Sequence, residues 1–227
     1  MRALALSLLL LLTVGSAAMA GTIYFEDFEG AVGSEWSSTT TTTTPVGCTH
    51  CTTFLGENIN DSIVLTLSSL PTNTTITISF ELFIIRSWDG SGENGWGPDN
   101  WTLSISDGSN WAYTFGNGTG MTQTYPVAGS APGTGASEVN TLGYTFGDSA
   151  RDMVYNLTFS WYNTTETTTL TFAASGLQEI SDYGYPDESW GLDDFRASDT
   201  ADIPEPATAL LFGSGVLAFL LYRRRCR

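Results

Sequence analysis

Through the middle of the chain, apolar and polar residues alternate with a period of two. Ile63, Leu65 and Leu67 share one side of a short run. Ile76, Ile78, Phe80 and Leu82 do the same, with Thr75, Thr77, Ser79 and Glu81 opposite. Trp101, Leu103 and Ile105 alternate with Thr102, Ser104 and Ser106. Tyr155, Leu157, Phe159 and Trp161 alternate with Asn156, Thr158 and Ser160, and Leu170 and Phe172 repeat the pattern. Successive side chains of a strand point to opposite faces, so these runs predict antiparallel strands with one buried face; the Gly, Asn, Asp and Pro clusters between them predict turns. Between the chain ends no long stretch has helical periodicity. Strands with one apolar face are buried most economically by packing two sheets together, so the expected fold is all-β, an antiparallel two-sheet sandwich over residues 21–202. The six threonines Thr39–Thr44 and the segment Gly129–Gly135 read as loops within it, the threonine run solvated or extended.

The two ends follow a different pattern. Arg2 precedes an apolar run, Ala3–Val14, and the small-residue site Ala18-Met19-Ala20, which reads as a secretory signal peptide over 1–20. At the other end, Ile203-Pro204-Glu205-Pro206 leads into sixteen uncharged residues, Ala207–Tyr222, and then Arg223-Arg224-Arg225-Cys226-Arg227. As a helix at ~1.5 Å per residue, 207–222 covers roughly 24 Å of a ~30 Å hydrocarbon core, and snorkelling arginines help close the difference. The basic cluster would hold the extreme terminus in the cytoplasm and leave the body outside. Pro-Glu-Pro, a short apolar helix and a terminal arginine cluster together resemble the PEP-CTERM sorting signal of Gram-negative bacteria over residues 203–227. That resemblance implies a membrane-anchored precursor recognised by an exosortase-type processing enzyme. It also implies delivery to the envelope, cell surface or extracellular matrix, alongside exopolysaccharide or biofilm matrix. The phrases Phe80–Gly90, Gly97-Pro98-Asp99 and Asp187–Phe195 resemble extracellular domains that accompany such tails, which implies a jelly-roll or concanavalin-like sandwich and brings no activity with it.

Charge narrows the partners. The 227 residues carry 24 acidic and 8 basic groups, net -16, and every basic group is an arginine. Between 21 and 202 only Arg86, Arg151 and Arg196 stand against 23 carboxylates, a net of -20. Such a surface repels phosphate backbones, which excludes nucleic acid as a partner, and attracts divalent cations.

Three groups of residues could carry chemistry. Glu26 and Asp27 near the start, and Asp193 and Asp194 near the end, would be gathered if the first and last strands lie side by side. Clustered carboxylates repel one another unless a hard cation neutralises them, so Ca2+ is the expected cofactor, with a solvated acidic rim as the alternative. The arrangement resembles the structural calcium site of many carbohydrate-binding sandwiches. Asp89, Glu93 and Asp99 mark a second cation loop or a plain Gly/Asp turn; Asn94 stands where an EF-hand would need glycine. Cys48 and Cys51 read as a local disulfide in a loop, since a redox C-x-x-C needs a helix that the threonine-rich surroundings do not predict. Trp101 and Trp161 fall on apolar strand faces, whereas Trp96 and Trp111, near turns, are candidates for stacking on sugars or for plugging the sandwich ends. The single histidine, His50, gives no support to a catalytic triad, and the laminarinase-type Glu-x-Asp-x-x-Glu is absent. No catalytic residue is assigned. The expectation is a non-enzymatic, exported envelope or matrix protein. The alternatives are a calcium-dependent, lectin-like carbohydrate-binding module for exopolysaccharide, and a secreted hydrolase or thiol oxidoreductase.

Overall fold

The computed structural model describes residues 21–92, 95–180, 184 and 186–199. The expected signal peptide, Pro204, Glu205, Pro206, the helix over 207–222, Arg223, Arg224, Arg225 and the candidate ligand Glu93 lie outside the described residues. Gly21–Ala201 forms one unit. Its strands are β1 Thr22–Glu26, β2 Thr41–Thr43, β3 Thr53–Asn58, β4 Ser62–Ser68, β5 Thr74–Arg86, β6 Asn100–Ile105 and β7 Asn110–Thr114. They continue with β8 Glu138–Val139, β9 Thr145–Phe146, β10 Ser149–Ala150, β11 Asp152–Asn163, β12 Thr167–Ser175 and β13 Glu188–Ser198. The larger sheet runs β2-β3-β13-β5-β11-β8 with β1 also paired to β13; the smaller runs β4-β12-β6-β7, and β9-β10 is a separate hairpin. The pairings are antiparallel, as the alternation requires. Among the described residues no helix is long and apolar enough to cross a membrane.

The fold is the expected all-β, two-sheet sandwich. Its core lies between the sheets and is rich in aromatic rings. Phe80 of β5 meets Trp101, Phe159, Phe172 and Phe195 at centroid separations of 5.4–6.2 Å, within the range in which offset and edge-on ring pairs attract beyond simple burial. Trp101 and Trp161 are buried there, and so is Trp36. Trp36 docks by donating its indole N–H to Tyr24 Oη at 2.9 Å.

Two stretches depart from the sequence pattern. The threonine run is partly a strand: Thr41–Thr43 pairs with Thr53–Leu55 as the edge β2, where a β-branched hydroxyl residue suits a strand half in water. In β5 the alternation stops after Glu81, and every residue from Leu82 to Arg86 is buried. Phe83 and Ile85 point away from the main core into a second apolar cluster with Phe54, Leu142, Tyr144 and Val154. The Leu142–Tyr144 segment therefore covers the outer face of the large sheet, and a strand covered on both faces reads as a continuous apolar run.

The first and last strands are neighbours, as expected, with Glu26 opposite Phe195. Between Asp193 and Arg196 the register of β13 against β5 slips, and Asp194 sits there at φ 48°. This bulge exposes Asp194 while Asp193 stays buried.

Candidate functional site

At one end of the sandwich three chain segments converge: the exit of β5, the entry to β6 and the entry to β13. The β5 exit is tied to β13 by Trp88, whose wholly buried indole donates to the Ser189 carbonyl at 2.9 Å. Gly90 then turns the chain at φ +67°, where an added Cβ would lie 2.2 Å from the Thr122 carbonyl oxygen. Only glycine fits that turn. The Asp99 amide donates to the Gly90 carbonyl at 3.0 Å and closes the loop.

This frame brings the carboxylates of Asp89, Asp99 and Glu188 together, with one oxygen from each lying within 4.8 Å of the others. Asp99 and Glu188 are wholly buried and Asp89 is 9% exposed. Asp99 Oδ2 accepts the Asp89 amide N–H, and Glu188 Oε2 accepts the Gln178 amide at 2.6 Å. The other oxygens, Asp99 Oδ1 and Glu188 Oε1, are buried without a hydrogen-bond partner. Burial pushes both acids above their ordinary range; the neighbouring Asp89 charge adds to the rise at Asp99 and the Asp99 charge to that at Glu188, while a side-chain hydrogen bond with Glu188 works the other way at Asp99. Asp89 and Asp99 were legible in the sequence as a glycine-flanked pair. Glu188 stood only within the phrase Asp187–Phe195, because its distance from the other two is set by the pairing of β13 with β5.

Beside this trio opens a cleft of about 400 Å³ whose lining includes Asp89, Trp96, Phe146, Arg151, Gln178 and Asp187. Trp96 is 70% exposed. Its carbonyl accepts Gln178 Nε2–H at 3.1 Å, which fixes the backbone that presents the ring. Arg151 covers the Phe146 ring at 5.6 Å, and Ser87 donates to the Asp187 carboxylate. The cleft thus combines an exposed aromatic ring with cationic, anionic and amide groups. Trp111 is not part of it: that ring is half-buried and packs on Phe159 at 4.8 Å.

The other expected ligands are distributed differently. Glu26, Asp27, Asp193 and Asp194 do not form a convergent group among the described residues. Glu26 accepts amides of Phe28 and Gly33, at 3.3 and 3.2 Å, and Asp27 accepts that of Glu29 at 3.2 Å. Asp193 lies instead with Glu81 and His50. His50 stands between Glu81 at 3.4 Å and Glu138 at 3.2 Å. Strand adjacency was foreseeable; which carboxylate faces which was decided by the bulge at Asp194.

Cys48 and Cys51 form a disulfide in the loop between β2 and β3. Thr49 and His50 donate their amides to the Thr141 carbonyl at 2.8 and 2.9 Å, seating the loop on the segment that covers the outer face. There is no helix beneath the C-x-x-C to depress a thiol pKa. Arg86, the buried arginine of β5, pairs with Glu57 and donates to Ser189 Oγ at 3.1 Å.

The tail matches the family described as PEP-CTERM protein-sorting motif over residues 202–225. No curated protein matches the chain. Among solved structures, the chain is similar to the CBM35 from Cellvibrio japonicus at TM-score 0.29 and 9% identity, over 79% of this chain and 87% of that one. It is also similar to an exo-beta-1,3-galactanase from Phanerochaete chrysosporium at TM-score 0.33 and 11% identity, over 80% of this chain and 30% of that one. A third similarity is to the CBM22-1-GH10 modules of a Clostridium thermocellum endo-1,4-beta-D-xylanase, at TM-score 0.35 and 12% identity, over 83% and 30%.

Proposed function

We propose that this chain, exported and carrying a PEP-CTERM sorting motif at residues 202–225, is a non-catalytic binding module of the envelope or extracellular matrix whose cleft takes a polysaccharide. The observation that carries the reading is the exposed Trp96 ring at the mouth of a cleft that also presents Arg151, Asp187 and Gln178. A sugar offers an apolar face of C–H groups and an equatorial fringe of hydroxyls. An exposed indole suits the first, and charged and amide groups the second.

Catalysis by paired carboxylates fits the geometry less well. A glycosidase holds two carboxyl groups about 5–9.5 Å apart across an accessible sugar. Here the oxygens of Asp89, Asp99 and Glu188 lie within 4.8 Å of one another. Asp99 and Glu188 are closed off from solvent, so no sugar ring fits between them. His50, held between Glu81 and Glu138, has the surroundings of an ion pair rather than of a base serving a nucleophile.

A polysaccharide array probed with the full chain and with Trp96→Ala tests the reading. Retention of at least one polysaccharide by the wild type and its loss in the variant, at unchanged melting temperature, are the expected results. No retained polysaccharide, or equal retention by both proteins, would overturn it.

A further inference from the structure

We infer that Asp89, Asp99 and Glu188 form a calcium site at the end of the sandwich where β5, β6 and β13 meet. Calcium takes oxygen ligands at about 2.3–2.6 Å, so two oxygens on one ion are at most about 5 Å apart. The three carboxylates each offer an oxygen within 4.8 Å of the others, and a single ion can reach all three. The ligands come from three separate segments. The ion would therefore clamp the β5 exit, the β6 entry and the β13 entry together.

The second support is the state of the oxygens themselves. Main-chain amides satisfy one oxygen of Asp99 and one of Glu188. The remaining oxygens are buried and unpartnered, whereas native interiors almost always pair such groups. A proton shared by Asp99 and Glu188 would remove one negative charge of three. A divalent cation removes two and engages all three side chains. The donors are all oxygen, with neither histidine nor cysteine, which selects a hard ion over zinc or copper. The remaining coordination positions fall to water and main-chain carbonyls, and calcium accepts such irregular shells more readily than magnesium. The inference rests on this trio alone and not on the polysaccharide reading. The His50–Glu81–Asp193 group carries no similar inference: both Asp193 oxygens already accept, from Thr52 and from the Asp194 amide, and His50 lies 3.4 Å from Glu81.

The test uses the full chain in mild detergent, first stripped with chelator. Terbium, a calcium substitute excited through nearby tryptophan such as Trp88, should luminesce and be displaced by calcium. Calorimetry with calcium alone should give a dissociation constant of about 0.1–1 mM or tighter, the range of extracellular modules. Calcium should slow hydrogen exchange in 87–100 and 187–189 but not in 50–53. Asp99→Asn and Glu188→Gln should each weaken calcium binding at least about tenfold, since ligand charge sets affinity, while Asp193→Asn should bind as the wild type does. The site is refuted by an absence of calcium binding, by protection that maps outside those two segments, or by unchanged affinity in both folded variants. The exchange map is read on the wild type, so it decides between these outcomes even where a variant fails to fold. A polysaccharide-binding protein without calcium affinity would refute this site and leave the cleft untouched.

Discussion

Thr52 Oγ1 lies 2.7 Å from Asp193 Oδ2, joining the loop closed by the Cys48–Cys51 disulfide to the last strand. The same hydroxyl lies 2.8 Å from Glu29 Oε1 in the connection after β1. A hydroxyl has one proton to give, so it cannot donate to both carboxylates at once. Burial raises the Asp193 carboxyl well above the ordinary carboxylate range, and the Thr52 hydroxyl, when it donates to that carboxyl, works the other way.

Thr52→Val keeps the shape of this junction and removes its oxygen. The buried Asp193 then loses a partner, and the expected cost is about 1–3 kcal/mol. Thr52→Ser should recover most of it. Denaturant midpoints of the three proteins check this; equal midpoints for valine and threonine would show that the contact contributes nothing.

Asp193 also sets a pH dependence. Burial pushes its carboxyl from 3.8 up to about 7. Between those values the unfolded chain gives up a proton that the folded protein retains, so stability falls as pH rises from about 4 to about 7 and levels off above. The effect is on the order of a few kcal/mol. In chelator, Asp99 and Glu188 shift in the same sense, so the comparison is with Asp193→Asn, whose profile over that window should be shallower. Unfolding curves at successive pH values measure both slopes, and parallel profiles would contradict the assignment.

The two candidate tryptophans should part company. Trp96→Ala removes a ring that is 70% exposed, and its unfolding free energy should stay within about 0.5 kcal/mol of wild type. Trp111→Ala removes packing on Phe159 at 4.8 Å and should cost about 2 kcal/mol. Thermal melts of both variants decide whether Trp111 belongs to the core edge or to the surface.

The disulfide should prove structural and modest. A loop as short as that between Cys48 and Cys51 restrains the unfolded chain little, and Cys48→Ser with Cys51→Ser should cost at most about 2 kcal/mol. The oxidised protein should show no turnover in an insulin-reduction assay. Sustained turnover would point instead to a redox centre.

At the tail, replacing Pro204-Glu205-Pro206 with alanines, within the matched segment 202–225, should leave unprocessed precursor in the membrane. The apolar stretch and arginines that remain are enough for retention there. Blots of membrane and medium fractions check this, and release equal to wild type would separate the motif from processing.

Period-two alternation alone was enough to place β4, β5, β6, β11 and β12, because a strand with one buried face must repeat every second residue. The burial of Trp101 and Trp161 and the loop position of Cys48 and Cys51 were legible for similarly local reasons. The sorting motif was legible too, since Pro-Glu-Pro, an apolar stretch and terminal arginines are contiguous. What the tertiary structure decided was everything that depends on distance between segments. A bulge at Asp194 turned Asp193 inward towards Glu81 and His50 and away from Glu26 and Asp27. A covering segment around Leu142–Tyr144 buried both faces of β5 beyond Glu81. Glu188 reached Asp99 only because β13 pairs with β5 along its length. Alternation records which face a side chain takes, but not which residue of another strand it will meet there; that is set by register, and a slip of one residue reassigns each partner.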